Sequence, residues 1–432
     1  MDAATRSYRR YVLFILTLVY VFNFVDRQIL VILQEPIKAE LGLSDTQLGL
    51  LTGFAFAIFY VVIGIPIARW ADVGNRRNIV SLALAVWSGM TAISGLAQNY
   101  FQLLLARIGV GIGEAGASPP SHSMISDYYA PEERGAAMSI YSMGLYIGIL
   151  VGLLLGGWLS DKIGWRMAFF AVGMPGILMA VVVRYTLKEP PRGGAGMVSD
   201  PSVGKRYTFK ETLSYLWGST AFRNASLAAG FCAFAGYSSL TFTPSFLIRS
   251  HGMSVSEVGL ALGLIIGVSG VIGALSGGFL ADKLGKNDMR WYMWVPGIGA
   301  FLGLPFSLLA LNLESLNAVL ACVFIGNVFM SCYLGPTVAI AHHLVKPSMR
   351  ATTSAILYFI INIVGLGCGP VVTGMVSDYL APEYGAESLR YALMFSSFVV
   401  VIAAAQYFRS GLALPKDTDD GRSEDAEEIA AS

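Results

Sequence analysis

The chain has 432 residues, 55% of them hydrophobic and only 13% charged, with a net charge of +1. A soluble domain carries nearly twice that charged fraction, about 25%, so a soluble globular protein is excluded, and the near-neutral balance argues against a nucleic-acid partner. The apolar runs are continuous rather than alternating over about ten residues, which excludes a membrane barrel and predicts an all-α polytopic membrane protein.

Twelve apolar spans are predicted, at about 11–33, 46–71, 78–97, 101–125, 135–158, 167–187, 222–248, 256–281, 291–312, 316–341, 351–376 and 389–409. Arg6, Arg9 and Arg10 lead straight into the first span, which is expected to act as an uncleaved signal. That span contains Asn23-Phe-Val-Asp26-Arg27, an acid and a cation inside an apolar run. Span four holds Arg107-Ile-Gly-Val-Gly-Ile-Gly-Glu114. A charge at the bilayer centre costs at least ~2.5 kcal/mol, so such residues face a bundle interior or a water-filled cavity. Arg107 and Glu114 are two helical turns apart on one face, roughly 10 Å along the axis, and form stacked levels of a polar track. In span five, Gly144, Gly148, Gly152 and the Gly156-Gly157 pair make a four-residue stripe suited to close helix packing.

Lys188 to Ala221 contains Pro190, Pro191, Gly193, Gly194 and Gly196 and reads as a linker between two six-helix halves. The expected domains are therefore 1–187, the linker 188–221, 222–410, and a tail 411–432 that is acidic, polar and expected to be disordered. Spans seven to twelve have no acid or base in their interiors and offer Tyr237, Tyr333, Tyr358, Asn327 and Asn362 instead. Core packing accounts for most of these aromatics. Cys232, Cys322, Cys332 and Cys368 show no ligand spacing and read as free thiols, and the histidines likewise, so no metal or cofactor is expected.

Lysine and arginine set the orientation. One set of connections carries clusters such as Arg6, Arg9, Arg10, then Arg69, Arg76, Arg77, then Lys283, Lys286, Arg290. The other set carries only Lys38, Lys162, Arg166, Arg249 and Arg390. This predicts both termini on the cytoplasmic side of the cytoplasmic membrane. The halves echo each other: Ser44-Asp-Thr-Gln-Leu-Gly49 opens span two and Ser254-Val-Ser-Glu-Val-Gly259 opens span eight, while Asp72 and Asp282 close them. Pro131 and Arg134 recur as Pro347 and Arg350. A duplicated six-helix unit is the parallel-repeat plan of two-lobed transporters.

The loop Ala68-Arg-Trp-Ala-Asp72-Val-Gly74-Asn-Arg76-Arg77 resembles the signature loop of the major facilitator superfamily, and Gly278-Phe-Leu-Ala-Asp282-Lys283-Leu-Gly285-Lys286 repeats it. Its needs are physical: a small residue for close packing, an acid at a helix end, a glycine turn, then cations at the headgroups. The first copy departs from the pattern at Ala68 and Val73. Arg107-x-x-x-Gly111 resembles the fourth-helix motif, whose arginine is linked to proton coupling. The glycine stripe resembles the fifth-helix motif of the antiporter branch, without its proline. Together, Asn23-Phe-Val-Asp26-Arg27, the Arg107–Glu114 run and Trp165-Arg166-Met-Ala-Phe169 resemble the Spinster family of sphingolipid and lysophospholipid transporters, most closely in the N-terminal half.

The resemblance places spans one and four side by side. Asp26 can then pair with Arg107 at one level, leaving Arg27 free to approach Glu114 or substrate, or to reach the outer surface. The reading is a twelve-helix major facilitator transporter, proton-coupled, for an amphipathic lipid-like substrate. Glu114, Asp26 and Arg107 are the proton-coupling set. Arg27, Arg107, Glu114, Tyr237, Tyr333 and Tyr358 are the substrate-binding set. Asp72, Arg76, Arg134 and Asp282 are the gating set, with Asp72 expected to pair with Arg76 or Arg134. The rival is a proton symporter of small organic anions. No H-E-x-x-H, G-x-S-x-G or His/Asp cluster supports a lipid enzyme, and the tail is too short for a signalling domain. A monomer among membrane lipids is expected.

Overall fold

A computed structural model describes residues 3–192 and 207–430. Among the described residues there is no strand. The helices are α1 (Ala3–Ile32), α2 (Gln34–Leu41), α3 (Asp45–Thr52), α4 (Phe54–Val73), α5 (Arg76–Ser94), α6 (Tyr100–Glu114), α7 (Ser118–Tyr128) and α8 (Pro131–Thr186). After the linker come α9 (Phe209–Gly218), α10 (Thr220–His251), α11 (Val255–Gly285), α12 (Trp291–Asn312), α13 (Leu316–Met330), α14 (Leu334–His343), α15 (Arg350–Ile360), a π-helix (Ile361–Cys368), α16 (Gly369–Tyr384) and α17 (Ser388–Ala430).

The predicted spans map onto these directly. Span two is α3 with α4, parted at Gly53; span four is α6 with α7; span ten is α13 with α14; span eleven is α15, the π-helix and α16. Helix α8 holds spans five and six, which meet at Gly164, where φ is 79°. Only glycine reaches that backbone region without strain. Helix starts follow their caps: Asn75 accepts from the Asn78 N–H and Asn99 from the Gln102 N–H, each satisfying a donor the helix itself leaves open.

Two expectations need correction. The linker is partly helical, since α9 begins with a capping box between Thr208 and Glu211; residues 193–206, including Gly193, Gly194 and Gly196, lie outside the described residues. The tail expected to be disordered from residue 411 is helical, because α17 runs on to Ala430. Its first turns are anchored. Leu414 is buried, and the Asp417 carboxylate accepts from the Ser219 hydroxyl at 2.6 Å and from the Ala221 N–H at 2.7 Å. An acid there complements the positive N-terminal end of α10.

The chain forms two compact units, Met1–Pro201 with Leu240–Gly267 and Pro370–Leu389, and Ser202–Ser239 with Val268–Gly369 and Arg390–Ser432. The division does not follow the linker, because α10, α11 and span eleven each begin in one unit and end in the other. In the first unit the glycine stripe is a seam: a Cβ on Gly148 would lie 2.6 Å from Phe24 Cβ, and one on Gly144 would lie 2.9 Å from the Thr17 carbonyl. Gly173 and Gly176 let α8 approach Ser88 of α5 in the same way. In the second unit, α10, α12, α14, α15 and α17 share an apolar core that includes Phe222, Met293, Leu357 and Tyr407. There the π-helix brings Gly365 against Ala233, where a Cβ would lie 2.4 Å from the Ala233 Cβ.

Candidate functional site: a buried charge centre

The site lies in the first unit, between α1, α4, α5 and α6. The alternating glycines of span four build it. Gly109 and Gly113 face α5, where a Cβ on Gly113 would meet the Trp87 backbone nitrogen at 2.7 Å. Gly111 faces α4, 3.0 Å from the Phe56 carbonyl. Close approach on both sides buries Arg107 and Glu114 at 2% and 0% exposure.

Arg27 Nε donates to Glu114 Oε2 at 2.5 Å. Its guanidinium sits over three rings, Phe24 at 5.0 Å, Phe56 at 4.7 Å and Tyr60 at 5.1 Å. A desolvated cation–ring contact is worth about 2 kcal/mol or more, so the aromatic cage and the carboxylate together hold the cation. Arg27 therefore points inward and does not reach for the surface. Asn23, one turn before Arg27, lies within hydrogen-bonding reach of Glu114.

The expected Asp26–Arg107 ion pair is not what forms. Arg107 Nη1 donates to the Asp26 backbone carbonyl at 3.2 Å. The Asp26 carboxylate, 0% exposed, turns to α5, where Ser88 Oγ is 3.5 Å away and Thr91 is within hydrogen-bonding reach. Adjacent residues of a helix project about 100° apart, so Asp26 and Arg27 serve different neighbours. The α5 hydroxyls are contributors that the sequence reading missed. Ser88 and Thr91 show no signal beyond polarity in an apolar span.

The residues expected to gate lie toward the end of the first unit that carries the N-terminus, except for Asp282. Arg76 is buried and is shared by Asp127 at 2.5 Å, Glu189 at 2.7 Å, the Ser123 hydroxyl and the Pro190 carbonyl. Arg134 Nε donates to the carbonyls of Ser126 and Tyr129. Asp72 is exposed, and the pairing expected with Arg76 or Arg134 is absent among the described ion pairs. The acids on span four and the linker outcompete it because they flank Arg76 directly. In the second unit Asp282 accepts from Tyr292 Oη at 2.8 Å. A Cβ on Gly278 would meet nothing within 4 Å, so the packing reason expected for that glycine does not apply here.

Tyr237 and Tyr333 are partly buried against the core of the second unit, and Tyr358 is 42% exposed. Asn327 donates to Ser269 Oγ at 2.7 Å and Asn362 to the Tyr358 carbonyl at 2.8 Å. The Trp165-Arg166 motif is a tether: Trp165 Nε1 and Arg166 both donate to Glu40, and Arg166 also reaches the carbonyls of Gly95 and Ala97. The Arg166 hydrogen bond, with help from Trp165, holds the Glu40 carboxyl below the ordinary carboxylate range.

Residues 16–370 match the Major Facilitator Superfamily. The chain belongs to the Major Facilitator Superfamily. Over 91% of its length it is 38% identical to an MFS-type efflux pump of Mycolicibacterium smegmatis, covering 89% of that protein. It is 26% identical to Protein spinster homolog 1 of Xenopus tropicalis, over 95% of this chain and 82% of that one. A solved bacterial homolog of the human lysosomal transporter Spinster, inward-facing and unoccupied, superposes with a TM-score of 0.87 at 36% identity, over 95% of this chain and 98% of that one. The chain is thus a multi-pass membrane transporter of twelve spans, related to the Spinster proteins.

Proposed function

We propose that the chain couples proton movement to alternating-access transport of an amphipathic, lipid-like solute across the cytoplasmic membrane, with both termini cytoplasmic. The observation that carries this is the Arg27–Glu114 pair, 16% and 0% exposed at the side chains. A pair this buried is not needed for stability, since well-packed apolar residues often serve equally well, and breaking it by removing one partner costs ~3–5 kcal/mol. An intramembrane pair of this kind marks a substrate or proton path. When substrate draws Arg27 away, Glu114 is left without its cation and takes a proton; when Arg27 returns, the proton leaves. Asp26, set against hydroxyls, is the second proton carrier, and Arg107 fixes its backbone. Arg27 and Arg107 offer the charged wall for a headgroup, and Tyr237, Tyr333 and Tyr358 the apolar wall for a tail. Asp72 and Asp282 remain gating acids in this reading, engaging in other stages of the cycle.

Glu114→Gln keeps the shape and removes the titration. In proteoliposomes it is expected to abolish transport driven by a pH gradient while sparing substrate binding. A well-folded variant with undiminished pH-driven transport overturns the proposal. The second reading, proton-coupled transport of small organic anions, is favoured by 26% identity over 90% of the chain to a probable L-galactonate transporter of Escherichia coli. A panel of lysolipids and sugar acids separates the two.

A further inference from the structure

The echo between Ser44–Gly49 and Ser254–Gly259 is two copies of one joint, all within the first compact unit. Each helix start carries its own reciprocal cap. In α3 the Ser44 N–H donates to Gln47 Oε1 at 2.9 Å and the Gln47 N–H to Ser44 Oγ at 3.2 Å. In α11 the Ser254 N–H donates to Glu257 Oε2 at 2.8 Å and the Glu257 N–H to Ser254 Oγ at 3.2 Å. The free N–H groups next to each cap then meet an aspartate from another helix. Asp45 and Thr46 donate to the Asp378 carboxylate of α16 at 2.9 and 2.8 Å. Ser256 donates to the Asp161 carboxylate of α8 at 3.0 Å.

Glycines close both seams. A Cβ on Gly49 would lie 2.3 Å from the Pro370 carbonyl oxygen, and one on Gly259 2.3 Å from that of Leu153. From the opposite side, a Cβ on Gly374 would lie 2.3 Å from the Asp45 carbonyl oxygen and one on Gly157 2.5 Å from that of Val255. One constant shift in numbering carries Asp45, Thr46 and Gly49 to Val255, Ser256 and Gly259. Another carries Leu153, Gly157 and Asp161 to Pro370, Gly374 and Asp378.

The copies differ at one position of consequence: Asp45 in the first is Val255 in the second. The Asp45 carboxylate accepts from Arg249 at 2.8 and 2.7 Å, from Lys38, and from the Ser377 hydroxyl at 2.7 Å. Arg249 is also forked onto Glu35 at 2.7 to 3.0 Å. Among the described residues no ion pair involves Asp161 or Glu257, and Asp161 is exposed.

We propose that the two joints form a duplicated latch of unequal strength at the end of the bundle remote from the N-terminus, in which the α3–α16 seam is fixed and the α8–α11 seam is the one that releases. An exposed carboxylate at a helix start shifts an equilibrium by roughly two- to fivefold. Arg249 is on α10, which is tied to the chain just past the far end of α16, where Ser250 Oγ donates to Glu387 at 3.1 Å. An opening that carries α10 and α16 together away from α3 must also part Arg249 from the buried Asp45, a penalty above ~100-fold. In the transport reading, opening at this end therefore starts between spans five and eight.

Amide hydrogen exchange of the full chain in detergent tests this without substrate or pH gradient, so its outcome stands apart from the role of Glu114. Amides from Gly259 to Leu264 bond within α11, and those from Gly49 to Thr52 within the α3–α4 span, so both report the seams rather than the caps. Asp161→Asn, which keeps an acceptor oxygen but loses the charge, is expected to speed exchange at 259–264 by roughly two- to fivefold, and Asp161→Glu, which keeps the charge, to restore most of the protection. Asp378→Asn alone is expected to leave 49–52 protected, and Asp378→Asn with Arg249→Gln to release it. Should that double variant not fold, Asp378→Asn with Arg249→Lys, which loses only the fork, takes its place. The proposal is overturned if Asp378→Asn alone loosens its seam as much as Asp161→Asn does, or if Asp161→Asn leaves 259–264 unchanged.

Discussion

At the scale of single residues, Asp26, Arg27 and Arg76 are placed by the neighbouring helix or segment that each side chain meets, not by sequence proximity. Asp26 and Arg27 are neighbours in the chain, yet one faces α5 hydroxyls and the other Glu114. Arg76 illustrates the cost of such placement. It is 1% exposed and holds both Asp127 and Glu189. Arg76→Ala leaves two acids facing each other and is expected to destabilise the protein by ~3–5 kcal/mol, seen as a lowered thermal unfolding temperature in detergent. Adding Asp127→Asn removes part of the uncompensated charge and is expected to recover some of the loss; no recovery would mean that Arg76 acts through packing alone. The tyrosines of the second unit make a different demand. If they face a lipid tail, Tyr237→Ala or Tyr333→Ala weakens long-chain substrates more than short ones, because each buried CH₂ is worth about 0.8 kcal/mol. Equal losses across a chain-length series favour the small-anion reading.

At the scale of elements, glycines decide which helices touch. A Cβ on Gly148 would lie 2.6 Å from Phe24 Cβ and 2.7 Å from the Val21 carbonyl oxygen. Gly148→Leu therefore wedges α1 from α8, an overpacking cost of ~1–3 kcal/mol or more. Gly278 has open space around its Cβ position. Gly278→Ala is expected to be neutral or to stabilise α11 by up to ~1 kcal/mol. Thermal unfolding of the two variants side by side checks the contrast, and similar losses in both would show that helix packing around Gly278 is tighter than this structure has it. Both glycines look equally motif-like in the sequence. Only the second helix at each place distinguishes them.

At the scale of the whole molecule, α10, α11, span eleven and the first turn of α17 all carry the chain from one compact unit into the other, in addition to the linker. Covalent continuity therefore does not depend on residues 193–206. A protease site inserted there and cut is expected to leave a single particle at the elution volume of the intact protein, whereas separation into two species would show that the α10, α11 and span-eleven crossings do not hold the halves together. The C-terminal anchor belongs to the same scale: Asp417 ties the start of the tail to the base of α10, so the tail leaves the bundle from a fixed point.

The sequence by itself determined the helical membrane class, the twelve spans, the duplicated halves and the charged residues of span four, because continuous apolar runs and intramembrane charges follow from local chemistry and the energetics of lipid. It also contained both copies of the latch, since Asp161 and Asp378 recur at a constant offset. Which partner each charge takes was decided only by tertiary structure. The Arg107 contact with the Asp26 carbonyl, the capture of Arg76 by Asp127 and Glu189, and the Arg249 fork onto Glu35 and Asp45 join residues dozens to hundreds of positions apart. Helical periodicity fixes the direction in which a side chain leaves its own helix. The neighbour it meets depends on which helices pack there, and that is set by glycine contacts whose consequences exist only once the second helix is in place.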